Sequence, residues 1–339
     1  FHPDHFSLIV IDEGHHGTAA SYREVLDYFG SAKRLFVTAT PKRADKIKLS
    51  AVCESVAFSY PLEQAIDDGW LVPVHQIVVQ VDGLDFSKAR LVGDDFNQGD
   101  LEKIVTEEKP LHRICSSSTE IIQGEQALWF TVSVGHAKAA AGIISRPGYA
   151  TGPVRWLSGD TPKDERRATV DNYKASRLQH LVSCNLFTEG FDAPATSAIV
   201  MGRPTQSLGF YCQMLGRGTR PLPGTVDGIA TTAERKTAIA TSAKPRLLVI
   251  DFSGNAGRHH IVQATDVLGG DYDPPVRDYA KKTMAAEGKA MPTAEVLARG
   301  KAELELLREE EQFEDERRRL EELESLKRQM VTATATYRT

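Results

Sequence analysis

Short β-branched apolar runs alternate with helix-patterned segments along most of this chain, and that alternation limits it to folds built on a parallel sheet with crossover helices. The run "FSLIVID" (6–12) reads as a strand, "AASYREVLDYFG" (19–30) as a helix closed by Gly30, and "KRLFVTAT" (33–40) as the next strand, stopped by Pro41. The segment 55–73 reads as a strand, a short helix and an exit loop, followed by a strand over 75–83 and a polar stretch from Leu84 to Asp100. A second series then begins near Leu111. It has strands at 127–133, 153–159, 179–184, 196–202 and 245–254, with helices at 135–145, 163–176 and 207–218. From Asp266 the alternation fades, and 293–330 reads as one long helix.

Length and composition fit this picture. A chain of 339 residues with 41% hydrophobic content has room for about two domains. Its net charge of −5 excludes a surface that is basic throughout, so any polyanion site must be local. Such a region exists between Thr196 and His260, where eight Lys and Arg face three Asp and Glu. The four cysteines form no C-x-x-C pair, which fits neither a zinc ribbon nor a disulfide framework and suits a reducing cytoplasm. No apolar run approaches the ~20 residues of a membrane span. Between Glu305 and Glu324 the long helix carries ten acids and four bases. Leu306, Phe313 and Leu320 lie seven apart on it, so it presents either a solvated face packed on the body or a seam for a protein partner.

Four short stretches carry chemistry. "LIVIDEGHHG" (8–17) runs from apolar residues into Asp12 and Glu13, two acids that repel each other unless something positive sits between them. A strand-end Asp can hold the Mg²⁺ of a nucleoside triphosphate and a neighbouring Glu can polarise water; the alternative is that either acid caps a helix N-terminus. "TAT" (38–40) delivers Thr38 and Thr40 to the same sheet edge. "TEGFDAP" (188–194) is a tight loop whose Gly190 permits close backbone approach. In "QMLGRGTRP" (213–221), Gln213, Gly216, Arg217 and Arg220 are spaced to share one helix face. Two arginines aimed at one spot suit a phosphate, or else pair with nearby acids.

Together these stretches resemble the superfamily 2 helicases and translocases, in the branch of type I and type III restriction motors and repair helicases. "DEGH" looks like motif II, "TAT" like motif III, "TEGFDAP" like motif V and "QMLGRGTRP" like motif VI, and the resemblance spans roughly residues 1–265. It implies an α/β chain of two RecA-like parallel-sheet domains and an ATP-dependent motor acting on DNA or, alternatively, RNA. Residues 1–74 would be the C-terminal part of domain 1, 75–110 a linker or insertion, 111–265 domain 2, and 266–339 a helical acidic extension. Asp12 would ligate Mg²⁺ and Glu13 would serve as base. His15, Thr38 and Thr40 would couple the ATP state to the second domain, with Gly190 and Asp192 meeting the nucleotide from the far side. Arg217 and Arg220 would be arginine fingers, with Gln213 beside them. Thr188, Arg203 and Thr205 would lie near the nucleic-acid strand. The phosphate loop G-x-x-x-x-G-K-[ST] is absent from the sequence, which implies a fragment of a motor, with the first domain truncated. A nucleic-acid-binding remnant that does not hydrolyse ATP, or the motor subunit of a restriction complex, are the alternatives. Gly14 replaces the Ala or Cys of many relatives, a small-for-small change.

Overall fold

The computed structural model describes residues 1–14, 20–38, 53–93, 95–184, 186, 191–257, 259–270 and 272–336, with backbone alone after Arg328. The chain opens with β1 (Leu8–Ile11), α1 (Ala20–Tyr28) and β2 (Lys33–Phe36); the two strands pair in parallel, Leu8 opposite Lys33 and Ile11 opposite Phe36. Leu8, Val10 and Leu35 on this pair are half exposed. The sequence reading extends the second strand to Thr40, whereas the ladder ends at Phe36. It also expects a strand after Ser55, where the structure has irregular chain leading to α2 (Leu62–Asp67).

The main body is a seven-stranded sheet. In chain order its elements and neighbours are β3 (Val74–Asp85), the hairpin β4 (Leu91–Val92) and β5 (Asp95–Phe96), α3 (Gln98–Val105), α4 (Glu108–Ile122), β6 (Ala127–Thr131) and α5 (Val134–Ile144). Next come β7 (Val154–Leu157), α6 (Lys163–Lys174), β8 (His180–Cys184), β9 (Ala198–Met201), α7 (Leu208–Gly216), α8 (Thr232–Thr241) and β10 (Leu247–Asn255). The chain finishes with α9 (Ala264–Leu268), α10 (Pro274–Glu287), β11 (Met291–Pro292) and α11 (Thr293–Thr336). Strand order is β11-β3-β10-β9-β6-β8-β7, parallel throughout except for β11, which runs antiparallel to β3. Residues 75–110, read from sequence as a linker or insertion, therefore supply a strand of the main sheet. The strand read as closing the series, β10, lies inside the sheet between β3 and β9.

Both faces of the sheet are buried, as a parallel sheet requires. Leu128 and Phe130 of β6 and Leu247 and Val249 of β10 enter one core, while Trp129, Leu248 and Ile250 enter the other. Side chains that alternate along an extended strand produce this division. Of the tryptophans on the strands, Trp129 is fully enclosed and Trp156 half-buried. The C-terminal helices return to the same body: Val296 and Leu297 at the start of α11 join the first core. Beyond Glu305 the described side chains of α11 are exposed, Leu306, Phe313 and Leu320 included. Among the described residues beyond Glu305 neither the acidic face nor the seam of Leu306, Phe313 and Leu320 is covered. No helix among the described residues is long and apolar enough to cross a membrane.

Two core histidines set an acid limit. His180 is fully buried and its Nδ1 accepts from Trp129 Nε1 at 3.0 Å, which fixes the proton on Nε2. Burial pushes both His180 and His136 down to about 4. Between pH 6.5 and 4 the unfolded chain therefore binds protons that the folded chain refuses, and stability falls as pH drops through that window. Asp251, pushed up to about 7 by burial, works in the opposite sense and offsets part of the loss. Replacing His180→Asn removes one such group, so its free energy of unfolding should fall less steeply from pH 6.5 to 4, by about 3 kcal/mol over the window at most. Urea titrations at several pH values read this slope, and an unchanged slope would contradict the assignment.

Candidate nucleotide and nucleic-acid site

Asp12 and Glu13 follow directly on β1. The Asp12 carboxylate is exposed and its Oδ1 accepts the Glu13 N–H at 2.9 Å. Glu13 takes φ of 48°, a left-handed conformation that costs a non-glycine residue stability and tends to mark functional turns. Gly14 then donates to Val37 O at 2.8 Å while Val37 donates to Ile11 O at 2.9 Å, which folds the turn onto the end of β2. A Cβ at Gly14 would stand 2.9 Å from Phe36 Cβ. Smallness at this position is thus dictated by contact, and even alanine would force a shift. Thr38 is half-buried at the same edge. His15 and Thr40 lie outside the described residues, as do Thr188 and Gly190.

The second group of residues gathers at the other end of the main sheet from the β9–α7 turn. Phe191–Pro194 shortly precedes β9, and the Lys244 bond to Pro194 O and the Arg217 bond to Phe191 O place it beside the entering ends of β9 and β10. Here α7 delivers Arg217. The helix ends at Gly216, Arg217 is its C-cap, and Arg220 lies in the loop beyond. This corrects the sequence reading of a helix through Gly218 with both arginines on its face. Gly216, Gly218 and Pro221 stop the helix, and the loop, not helical spacing, brings Arg220 alongside.

Arg220 Nη1 pairs with Asp192 Oδ1 at 2.6 Å, both side chains half exposed, and Arg217 Nη1 donates to Phe191 O at 2.9 Å. The alternative of pairing with a nearby acid therefore holds for Arg220 in this state. An exposed pair of this kind is worth about 0–1 kcal/mol, so it exchanges readily for a more highly charged partner. Gln213 is half-buried one turn before Arg217. Behind these groups, Val72 N donates to Thr219 O at 2.8 Å and Leu247 N to Pro73 O at 2.9 Å. The chain entering from the first unit thus runs past the arginine loop. Arg235, 5% exposed, fastens the same entry: it donates to Asp68 O and stacks 3.9 Å from the Trp70 ring centroid.

Arg203 and Thr205 follow β9 at the opposite end of the sheet. Arg203 lies over the Phe210 ring at 4.6 Å. Thr205 is fully buried, and its hydroxyl donates to Asp95 Oδ2 at 2.7 Å while Asp95 Oδ1 accepts Gln206 N at 2.8 Å. Thr205 therefore acts by locking this turn to the β4–β5 hairpin, its hydroxyl already committed. Between the two ends, Tyr211 in the middle of α7 donates to the buried Asp251, which also accepts from Gln76 Nε2 at 2.7 Å. Sequence reasoning passed over Tyr211, Asp251 and Asp95. An acid inside the apolar run "LLVIDF" was the available signal for Asp251. Among the described residues no group of three or more His, Cys, Asp and Glu forms an all-protein metal cage.

Comparison with known proteins agrees with this layout. Residues 1–43 match the family described as "Type III restriction enzyme, res subunit", and residues 109–221 match "Helicase conserved C-terminal domain". These two matched segments support a likeness to a fragment of a superfamily 2 helicase. It is similar to the putative ATP-dependent helicase IRC3 of Saccharomyces cerevisiae, with 30% identity over 223 residues, covering 63% of this chain and 32% of that protein. It is also similar to the type I restriction enzyme EcoAI endonuclease subunit of Escherichia coli, with 27% identity over 242 residues, covering 64% of this chain and 30% of that one. Among solved structures, a fragment of a putative HsdR subunit of a type I restriction enzyme from Vibrio vulnificus YJ016 shares the fold. The TM-score is 0.53 at 21% identity, covering 76% of this chain and 45% of that one. The chain thus spans about a third of the length of the curated relatives it matches.

Gly218 is the position on which the arginine loop most depends sterically. A Cβ there would press on Leu247 and come 2.9 Å from Ile199 Cδ1, both in the core. Gly218→Ala should lower stability by about 1–3 kcal/mol through overpacking. Chemical denaturation measures this, and a variant as stable as wild type would show that the loop stands off β10 and β9.

Proposed function

We propose that this chain forms part of an ATP-dependent motor that moves on nucleic acid, with Mg-ATP held between Asp12 and Glu13 on one side and Asp192, Arg217 and Arg220 on the other. The observation that carries this reading is the cluster at the entering ends of β3, β9 and β10. Two guanidinium groups sit there on loops tied to each other, and the half-exposed Arg220–Asp192 pair is weak enough for a triphosphate to replace. Asp12 suits Mg²⁺, since this cation takes one or two carboxylates and fills its remaining positions with phosphate oxygens and water. The ion supplies neutralisation of charge on the β- and γ-phosphates. Glu13 orients the attacking water, Arg217 and Arg220 stabilise charge developing on the γ-phosphoryl oxygens, and Gln213 positions the nucleophile or the phosphate beside them. His15, Thr38, Thr40 and Gly190 would transmit the nucleotide state between the domains.

Nucleic acid is assigned to the opposite end of the sheet. Arg203, held over Phe210, would meet the phosphate backbone there, Thr205 would hold the turn in place, and Thr188 would be a further contact to the nucleic acid. The helix α7 joins the two ends over nine residues, roughly 13 Å. A change at the arginines therefore reaches Arg203 through one short rigid element. Kinship with the restriction enzyme subunit of E. coli favours DNA and, as a second reading, a place in a restriction complex. The exposed part of α11 would then serve as the contact for a protein partner.

In the natural full-length protein, Arg217→Ala should lower the ATP turnover number by about 10³-fold or more while leaving nucleotide affinity within about tenfold. Steady-state turnover and equilibrium binding of a fluorescent ATP analogue separate the two effects. Lost binding with unimpaired turnover would remove the finger role.

A further inference from the structure

The turn that leads into β10 holds a lysine in an unexpected place. Lys244 is 1% exposed, and its Nζ donates to Pro194 O at 2.7 Å and to Arg220 O at 2.6 Å. Its own N–H donates to Ser242 Oγ at 3.1 Å, which fixes the turn from which the side chain reaches. Among the described residues no carboxylate pairs with this ammonium. Burial pushes its pKa down to about 7, the mark of a charge kept in an unfavourable setting. A methionine of similar length would fill the space without that penalty. The lysine is thus distinguished from an apolar core residue by two hydrogen bonds to two different loops.

Those loops are the ones that carry the proposed nucleotide contacts. Phe191–Pro194 bears Asp192, and Arg217–Arg220 bears both arginines. Two further links join them: Arg220 to Asp192, and Arg217 to Phe191 O. Both run through the arginine side chains. Each must open if the arginine is to turn toward a phosphate. The Lys244 bonds run to backbone carbonyls, so they survive that exchange.

We infer that Lys244 is a positioning residue whose ammonium ties the carbonyls of Pro194 and Arg220, holding the two loops in register while Arg217 and Arg220 swap their protein partners for nucleotide. This rests on the functional reading above, and it adds a residue outside every motif that reading used.

The test compares wild type, Lys244→Met and Lys244→Arg in the natural full-length protein, by hydrogen exchange and by ATP turnover. Lys244→Met should raise amide exchange about tenfold or more in Ala193–Thr196 and Arg217–Arg220 and leave β6 and β8 at the wild-type rate. Its turnover number should fall about tenfold or more with the KM for ATP within about threefold. Lys244→Arg, which keeps a donor able to serve more than one carbonyl, should recover part of each. Unchanged exchange in the two loops overturns the inference, and so does wild-type turnover in Lys244→Met. Exchange raised equally through β6 and β8 also overturns it, since Lys244 would then be a general support of the core. If wild type itself hydrolyses no ATP, the functional reading fails, and the exchange comparison alone still decides whether the lysine ties the loops.

Discussion

The parallel pairing of β3 with β10 is the constraint on which the rest of the molecule depends. Seven consecutive residues of each strand stand opposite one another, Val74 to Gln80 against Leu247 to Ser253, although they lie some 170 residues apart in the chain. Closing so long a loop is entropically costly and gains nothing until the ladder forms. Once it has formed, Gln76 on β3 and Asp251 on β10 meet in the interior, and Tyr211 adds α7 to the same network. A buried carboxylate is tolerated because each neighbour donates to it. That network holds α7 by its middle and so sets where both of its ends lie.

The consequence is a separation of roles along the strand direction. At the entering ends of β3, β9 and β10, loops that share no local sequence are tied by Arg220–Asp192, Arg217–Phe191 and Lys244. At the leaving end of β9, the turn with Arg203 and Thr205 is locked by Asp95 from the hairpin. The half-exposed Arg220–Asp192 pair faces outward, while the Arg217 and Lys244 bonds lie behind it, partly or fully buried. Such an arrangement lets side chains change partners without disturbing the backbone that carries them. The chain entering the sheet at Pro73 passes directly over the arginine loop, held by Arg235 and Trp70, so the connection between the two units is itself part of this edge.

Much of this architecture was legible from local pattern. Apolar runs such as "ALWFTV" and "LLVIDF" have the composition and length of strands buried on both faces, and the helices between them carry amphipathic spacing, so element type followed from period. The readings that failed did so for identifiable reasons. The helix expected through Gly218 stops at Gly216 because two glycines and a proline in six residues outweigh the apolar spacing before them. Residues 75–83 read as a strand within a connection, since nothing local shows that their partner is β10. Family likeness puts Thr205 at the nucleic acid, and only the fold reveals Asp95 beneath its hydroxyl. Lys244 left no trace in the sequence at all. A lysine beside a proline before a strand has the pattern of an exposed loop, and its burial results from two loops closing over it.

By itself, the sequence determined the class of fold, the likeness to a helicase family and the residue types available for binding phosphate, because periodicity and short motifs are local properties of a chain. Tertiary structure decided which of those residues meet: Arg220 with Asp192, Thr205 with Asp95, and Lys244 with the carbonyls of Pro194 and Arg220. The physical reason is that each of these contacts joins segments whose separation along the chain is unrelated to their separation in space, and only the packing of β3 against β10 brings their loops to a common edge.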